Sequence, residues 1–210
     1  MTLDKALGAG VRALGLSLER TAEARLLAYV AILEKWNRTY NLTAIRDPAE
    51  MVTHHLLDSL AVVPYLPQGA SLHLIDIGSG AGLPGIPIAV ACSDWRVTLL
   101  DSNRKKSAFL RQAVAELSLK NIDVIAQRAE DYDPERPFDA AISRAYADLS
   151  RFASDARRLT RPGASWIAMK GTYPANELAA LPRQVRMRRV QKLDVPGLAA
   201  ERHLVWLQAA

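Results

Sequence analysis

Asp76, Gly78, Gly80, Gly82 and Gly85 follow directly on the apolar run Leu72-His73-Leu74-Ile75. An acid followed by closely spaced glycines suits holding a ligand rather than attacking one. Glycine lets the backbone approach a bound molecule with no Cβ in the way. A helix opening just behind it turns free N–H groups into the same space. Two fingerprints fit this turn. Gly80, Gly82 and Gly85 satisfy G-x-G-x-x-G, the dinucleotide pattern, with Asp101 standing 16 residues later (101 − 85). Asp76, Gly78, Gly80 and Gly82 also satisfy D-x-G-x-G-x-G.

Other residues bear on the choice. Thr98-Leu99-Leu100-Asp101 ends a second strand in an acid, and a carboxylate there can accept hydrogen bonds from both hydroxyls of a ribose. Its competing use is as a cap for the helix beginning near Asn103. Gln127-Arg128-Ala129-Glu130-Asp131 follows a third strand, either as an acidic helix start or as a wall of the ligand site. Arg144 ends a fourth strand, where open α/β sheets bind their ligands, with a structural ion pair as its other reading. Leu83 reads as the first core residue of the helix behind the turn. Basic residues gather at Arg104, Lys105, Lys106 and Arg111 and again at Arg183, Arg186, Arg188, Arg189 and Lys192. With Lys170 they are candidates for phosphate contact, against the plainer reading of solvated faces. Trp36, Tyr40 and Asn41 could stack bases, although aromatics four apart on a helix more often pack a core.

These residues need a scaffold of alternating strands and helices. The pattern predicts strands at 72–77, 96–100, 122–127, 138–143 and 165–169, with helices at about 84–92, 104–118 and 148–160. That alternation argues for a parallel sheet covered on both faces. Residues 184–194 and 203–208 read as two further strands joined through Pro196-Gly197, an antiparallel pair closing one edge. Residues 1–66 read as helical. Thr21 is the expected cap of a helix carrying Leu26, Leu27, Val30, Ile32 and Leu33. Asp47-Pro48-Ala49-Glu50 starts another that runs past His54 and His55 and stops before Pro64. The organisation is therefore a helical N-terminal extension, 1–66, ahead of a sheet domain, 67–210.

The 210 residues suffice for one α/β domain with an appendage. The excess of 27 Lys and Arg over 22 Asp and Glu fits a nucleic-acid partner without requiring one. The single cysteine, Cys92, excludes an internal disulfide and a cysteine metal cluster. His54, His55, His73 and His203 form no metal-ligand spacing, and no nucleophile–base set stands out. No secretory segment and no bilayer-spanning stretch is evident, so a soluble, cytoplasmic protein without membrane or metal partner, acting as a monomer, is expected.

Asp76 ahead of the glycines, Pro84 and Pro87 behind them, and the antiparallel tail all tilt away from a dinucleotide site. D-x-G-x-G-x-G after a first strand resembles motif I of the class I methyltransferases. Asp76 through Pro87, Lys35 through Thr43, His54 through Ser59, Leu100 through Lys106, Ser143-Arg144-Ala145 and Met169-Lys170-Gly171 resemble the RsmG (GidB) family of 16S ribosomal RNA guanine-N7 methyltransferases. The resemblance covers roughly residues 21 to 208. It implies a Rossmann-like seven-stranded sheet, mostly parallel with an antiparallel C-terminal hairpin. It also implies S-adenosylmethionine as cofactor, the small ribosomal subunit as partner, and cofactor contacts from Gly78, Gly80, Leu83 (through its backbone), Asp101, Ala129, Glu130 and Arg144. Arg104, Lys105, Lys170 and Arg186 are the candidate RNA contacts. No catalytic base is expected. An NAD-dependent oxidoreductase, and a ribosome-binding assembly factor with little catalysis, stay as alternatives.

Overall fold

The structure, a computed structural model, describes residues 2–67 and 71–210. Its centre is one seven-stranded sheet in the order β3-β2-β1-β4-β5-β7-β6. The strands are β1 (His73–Ile77), β2 (Arg96–Leu100), β3 (Ile122–Ile125), β4 (Phe138–Arg144), β5 (Thr160–Lys170), β6 (Val185–Leu193) and β7 (Arg202–Ala209). The first five pair in parallel, and β7 runs antiparallel to both β5 and β6. This is the sheet anticipated from the sequence, hairpin included.

Strand alternation divides the apolar residues between two faces. Leu74, Val97, Leu99, Ile142 and Ile167 point to one core and Ile75, Ile77, Ala141, Trp166 and Ala168 to the other. Helices α5 (Gly85–Ala91) and α6 (Arg104–Glu116) cover the first face, and α7 (Leu149–Leu159) covers the second. The N-terminal helices add a further layer: α2 (Arg20–Tyr40) packs over α5 and α6, and α1 (Leu3–Ala13) packs on α2 and on the segment Val52–Leu57. Leu7, Leu26, Leu33 and Leu60 fall in the same apolar cluster as Leu74 and Leu99. Trp36 packs edge-on against Phe109 of α6 and stacks on Tyr40, so its ring belongs to this layer rather than to a base-stacking platform.

Local details depart from expectation. Helix α2 starts at Arg20 with Glu19 at the cap position; Thr21 already lies inside the helix, and its hydroxyl donates to the Glu19 carboxylate. Asp47 does cap the next helix, accepting from the Ala49 N–H at 2.9 Å. That helix is not uniform. A turn of α-helix, α3 (Pro48–Met51), widens into a π-helical segment over Val52–Leu57 before α4 (Asp58–Leu60). Such bulges re-aim side chains and often mark functional positions. Strand β5 begins at Thr160 rather than 165, because a register shift between Phe138 and Ala140 absorbs Pro162 and the left-handed Gly163. Strand β3 ends at Ile125, and a short helix α8 (Ala175–Ala179) was not anticipated.

The strand order reverses between β1 and β4. The crevice beyond their carboxyl ends is where an open α/β sheet holds its ligand.

Candidate active site

The glycine turn leaves β1 through backbone that few residues tolerate. Gly78, Gly80 and Gly82 have φ of 72°, 59° and 88°. At Gly78 a Cβ would sit 2.2 Å from the Tyr146 ring, so the turn and the end of β4 are in contact across the crevice. The Gly78 and Ser79 N–H groups donate to the Leu100 carbonyl, at 2.8 and 3.1 Å, and the Gly80 N–H donates to Asp101 Oδ2 at 2.8 Å. Asp101 Oδ1 accepts from the Asn103 N–H at 2.7 Å. A carboxylate offers about four lone-pair sites, so Asp101 keeps acceptor capacity on both oxygens. It therefore shapes the turn and can still receive hydroxyls.

Behind the turn Asp76 is fully buried. Its Oδ2 accepts from the Gly85 N–H at 2.9 Å, and its Oδ1 has no partner among the described residues. Burial pushes its carboxyl up to about 7, against an ordinary 3.8. From the N-terminal layer, the buried Tyr29 hydroxyl donates to the Ala81 carbonyl at 2.6 Å, propping the turn from below.

Two cavities meet at this end of the sheet. The first, about 360 Å³, lies beyond β1 and β2 and is lined by Gly78, Leu100, Asp101, Ala129, Glu130 and Tyr146. Ile77, Leu100 and Ala129 line part of it and Asp101 supplies an acceptor, a combination that suits an adenosine. The Ala129 N–H carries no hydrogen bond among the described residues and is free for a ring nitrogen. Glu130 is held at the rim by Arg151 at 2.8 Å, and Arg151 also reaches Asp155, which accepts from the Tyr146 hydroxyl at 3.0 Å. Leu83 lies just outside this lining. Its side chain is core and its N–H donates to the Ser79 carbonyl at 3.0 Å. Leu83 lies ahead of the cap residue Pro84, and Pro87, four residues on, has no N–H to offer the Leu83 carbonyl.

The second cavity, about 430 Å³, lies beyond β4 and β5 and includes Arg144, Lys170 and Arg202. Ala145, in the left-handed region at φ 51°, lines both cavities and forms the partition. Arg144 thus stands beside the first cavity, with its side chain in the second. The Lys170 ammonium is engaged by both oxygens of Glu177 and by the Ala147 carbonyl, a use that fixes the loop after β4 rather than offering the charge to RNA. Among the described residues no group of three or more His, Cys, Asp or Glu side chains is placed to hold a metal ion.

The basic residues separate. Arg104 and Lys105 open α6 at the cavity end, both exposed. Arg186 does not join them. Strand register puts Lys192 opposite His203 and thereby level with Lys170, at the cavity end, but puts Arg186 opposite Gln208, toward the other end of the sheet. The basic run of β6 is therefore spread along the strand, with Lys192 at the cavity end and Arg186 away from it.

Comparison with known proteins settles the kinship. A family model described as rRNA small subunit methyltransferase G matches residues 22–205. The chain belongs to that family. Among proteins named ribosomal RNA small subunit methyltransferase G, that of Laribacter hongkongensis is 50% identical over 207 residues, covering 99% of each chain. That of Methylobacillus flagellatus is 48% identical over 207 residues, covering 99% of this chain and 98% of the other. Solved structures show the fold at lower identity. A SAM dependent methyltransferase from Aquifex aeolicus aligns with a TM-score of 0.56 at 17% identity, covering 77% of this chain and 93% of the other. TrmN from Thermus thermophilus aligns at 0.59 and 18%, covering 72% and 48%. This methyltransferase family was legible in the glycine turn. Tyr29, Tyr146, Asp58 and Arg202 were not picked out. The detectable signal for Asp58 was a lone acid inside the apolar run Leu56 to Val63.

Proposed function

We propose that this chain transfers a methyl group from S-adenosylmethionine to N7 of a guanine in 16S rRNA, within the small ribosomal subunit. The observation that carries the reading is the meeting of two cavities at Ala145, one with an adenosine's complement and one lined by arginines. Gly78, Gly80 and Asp101 would hold the amino-acid tail and ribose. Ala129 and Glu130 would border the adenine, the Leu83 carbonyl would take an ammonium N–H, and Arg144 would stand between donor and acceptor.

When bound, S-adenosylmethionine supplies a sulfonium-activated methyl group, which an acceptor lone pair takes as the carbon–sulfur bond breaks toward sulfur. Guanine N7 carries no proton, so the protein has none to remove. Its residues act by placement and by keeping the crevice shaped, which is where proximity and orientation contribute most. N7 lies in the deep, narrow groove of A-form RNA, so the target base must be unstacked or exposed by the particle. Arg104 and Lys105, exposed at the start of α6, would meet the flanking phosphates. No helix among the described residues is long and apolar enough to cross a membrane.

The test incubates the protein with labelled S-adenosylmethionine and undermethylated small subunits, then maps 7-methylguanosine by chemical cleavage. Label at one guanine N7 is the expected result. Label on an exocyclic amine, a ribose or protein overturns it. Stabilisation by NADH but not by S-adenosylhomocysteine would instead revive the oxidoreductase reading.

A further inference from the structure

The second cavity has a built polar wall. Asp58, 1% exposed, accepts from Arg144 Nη1 at 2.8 Å on one oxygen and from Arg202 Nε at 2.7 Å on the other. Arg144 Nη1 also donates to the His54 carbonyl at 3.2 Å. Both hydrogens of Nη1 are thereby engaged. Among the described residues, Nε and Nη2 of Arg144 have no partner, although the side chain is 20% exposed. These three donors stay open to the cavity, beside the partition at Ala145. They are available to an acceptor that a ligand brings into this cavity. Ile45 and Met169 supply apolar surface in the same cavity, as a planar base requires.

We propose that Arg144 selects the target base by donating to O6 of guanine, with Asp58 as the positioning residue that fixes its orientation. This rests on the guanine-N7 reading above. On guanine, N7 and O6 share one edge; on adenine, N7 stands beside the N6 amine, which is a donor. A guanidinium has five N–H donors and no acceptor, so it rewards O6 and rejects N6. Arginine commonly grips N7 and O6 together, but here the N7 lone pair is needed for the methyl group, and the contact reduces to O6. Asp58 engages the opposite edge of the guanidinium, leaving the Nε–Nη2 side to the base. The same carboxylate comes from the helical segment that follows the π turn, which gives that segment a part in base choice.

The test compares single-turnover methylation of small subunits carrying guanosine, inosine or 2-aminopurine riboside at the target position. Inosine keeps N7 and O6 and should react within about 3-fold of guanosine, whereas 2-aminopurine keeps N7 but lacks O6 and should fall by roughly 10- to 100-fold. In Arg144→Met the guanosine rate should drop toward the 2-aminopurine rate, and Asp58→Asn should narrow the same ratio. A purely structural role for Asp58 would lower the melting temperature and leave the ratio intact, which overturns its positioning role. Wild-type protein that methylates 2-aminopurine as fast as guanosine overturns the proposal, even when the variants fail to fold. So does Arg144→Met slowing every base by one factor, the result expected of an arginine that meets the cofactor alone. No methylation of the guanosine particle is a failure of the underlying reading instead.

Discussion

Gly80 donates its backbone N–H to Asp101 Oδ2 at 2.8 Å, so the glycine turn after β1 and the acid after β2 form one unit. The acid that would receive ribose hydroxyls is also the acid that holds the loop beneath the ligand's tail. Losing it removes two functions at once. Asp101→Ala should weaken S-adenosylhomocysteine binding by roughly 10- to 100-fold, the scale of lost hydrogen bonds to a charged group. Titration calorimetry measures this, and an unchanged affinity would detach Asp101 from the cofactor.

Gly78 and Gly163 share a left-handed backbone but not a neighbourhood. At Gly163, φ is 77° and a Cβ would meet nothing within 4 Å. Gly163→Ala should cost about 1–2 kcal/mol of stability, read from urea unfolding, and leave cofactor binding alone. Gly78→Ala adds a collision with Tyr146 and should abolish the thermal shift given by S-adenosylhomocysteine. Equal behaviour of the two variants would show that the close approach at Gly78 is incidental.

Asp76 and His55 pull the pH dependence of stability in opposite directions. Burial raises Asp76 from 3.8 to about 7, so the folded state binds its proton more tightly than the unfolded chain does. Its contribution is present at low pH and is lost as pH rises from about 4 through about 7. His55 is held down to about 4 from 6.5, first by burial and then by Arg144. Its contribution is present above 6.5 and is lost as pH falls toward 4. The two offset each other between those limits. Asp76→Asn should leave stability rising with pH across this window, and His55→Gln should leave it falling. Urea midpoints at about pH 4.5 and about pH 7 decide the signs.

Arg104 and Lys105 are exposed at the start of α6 and have no salt-bridge partner among the described residues. Replacing either by alanine should weaken binding to small subunits and make the log–log salt dependence shallower by about one per residue. Arg186→Ala, at the far end of β6, serves as the comparison. An unchanged salt slope in the Arg104 and Lys105 variants would place the RNA elsewhere.

The seven-stranded sheet, the glycine turn with Asp76 and Asp101, and the kinship they carry were determined by the sequence itself. Local chemistry is enough for these: strand periodicity, the conformations that glycine permits, and an acid at each strand end are written in neighbouring residues. The helix start at Asp47 was legible for the same reason, because a cap acts over two or three residues. Thr21 failed as a cap because helix α2 begins two residues sooner than its pattern suggested, with Glu19 at the cap position.

Tertiary structure decided what depends on residues distant in the chain. Asp58 joins Arg144 and Arg202 across separations of 86 and 144 residues, and Tyr29 reaches Ala81 across 52. Lys170 looked available in sequence and is engaged by Glu177. Arg186 looked near the site and is carried away by the length of its strand. A residue's type states which bonds it can make. Only packing determines which partners take them, and so which donors, like those of Arg144, are left for a ligand.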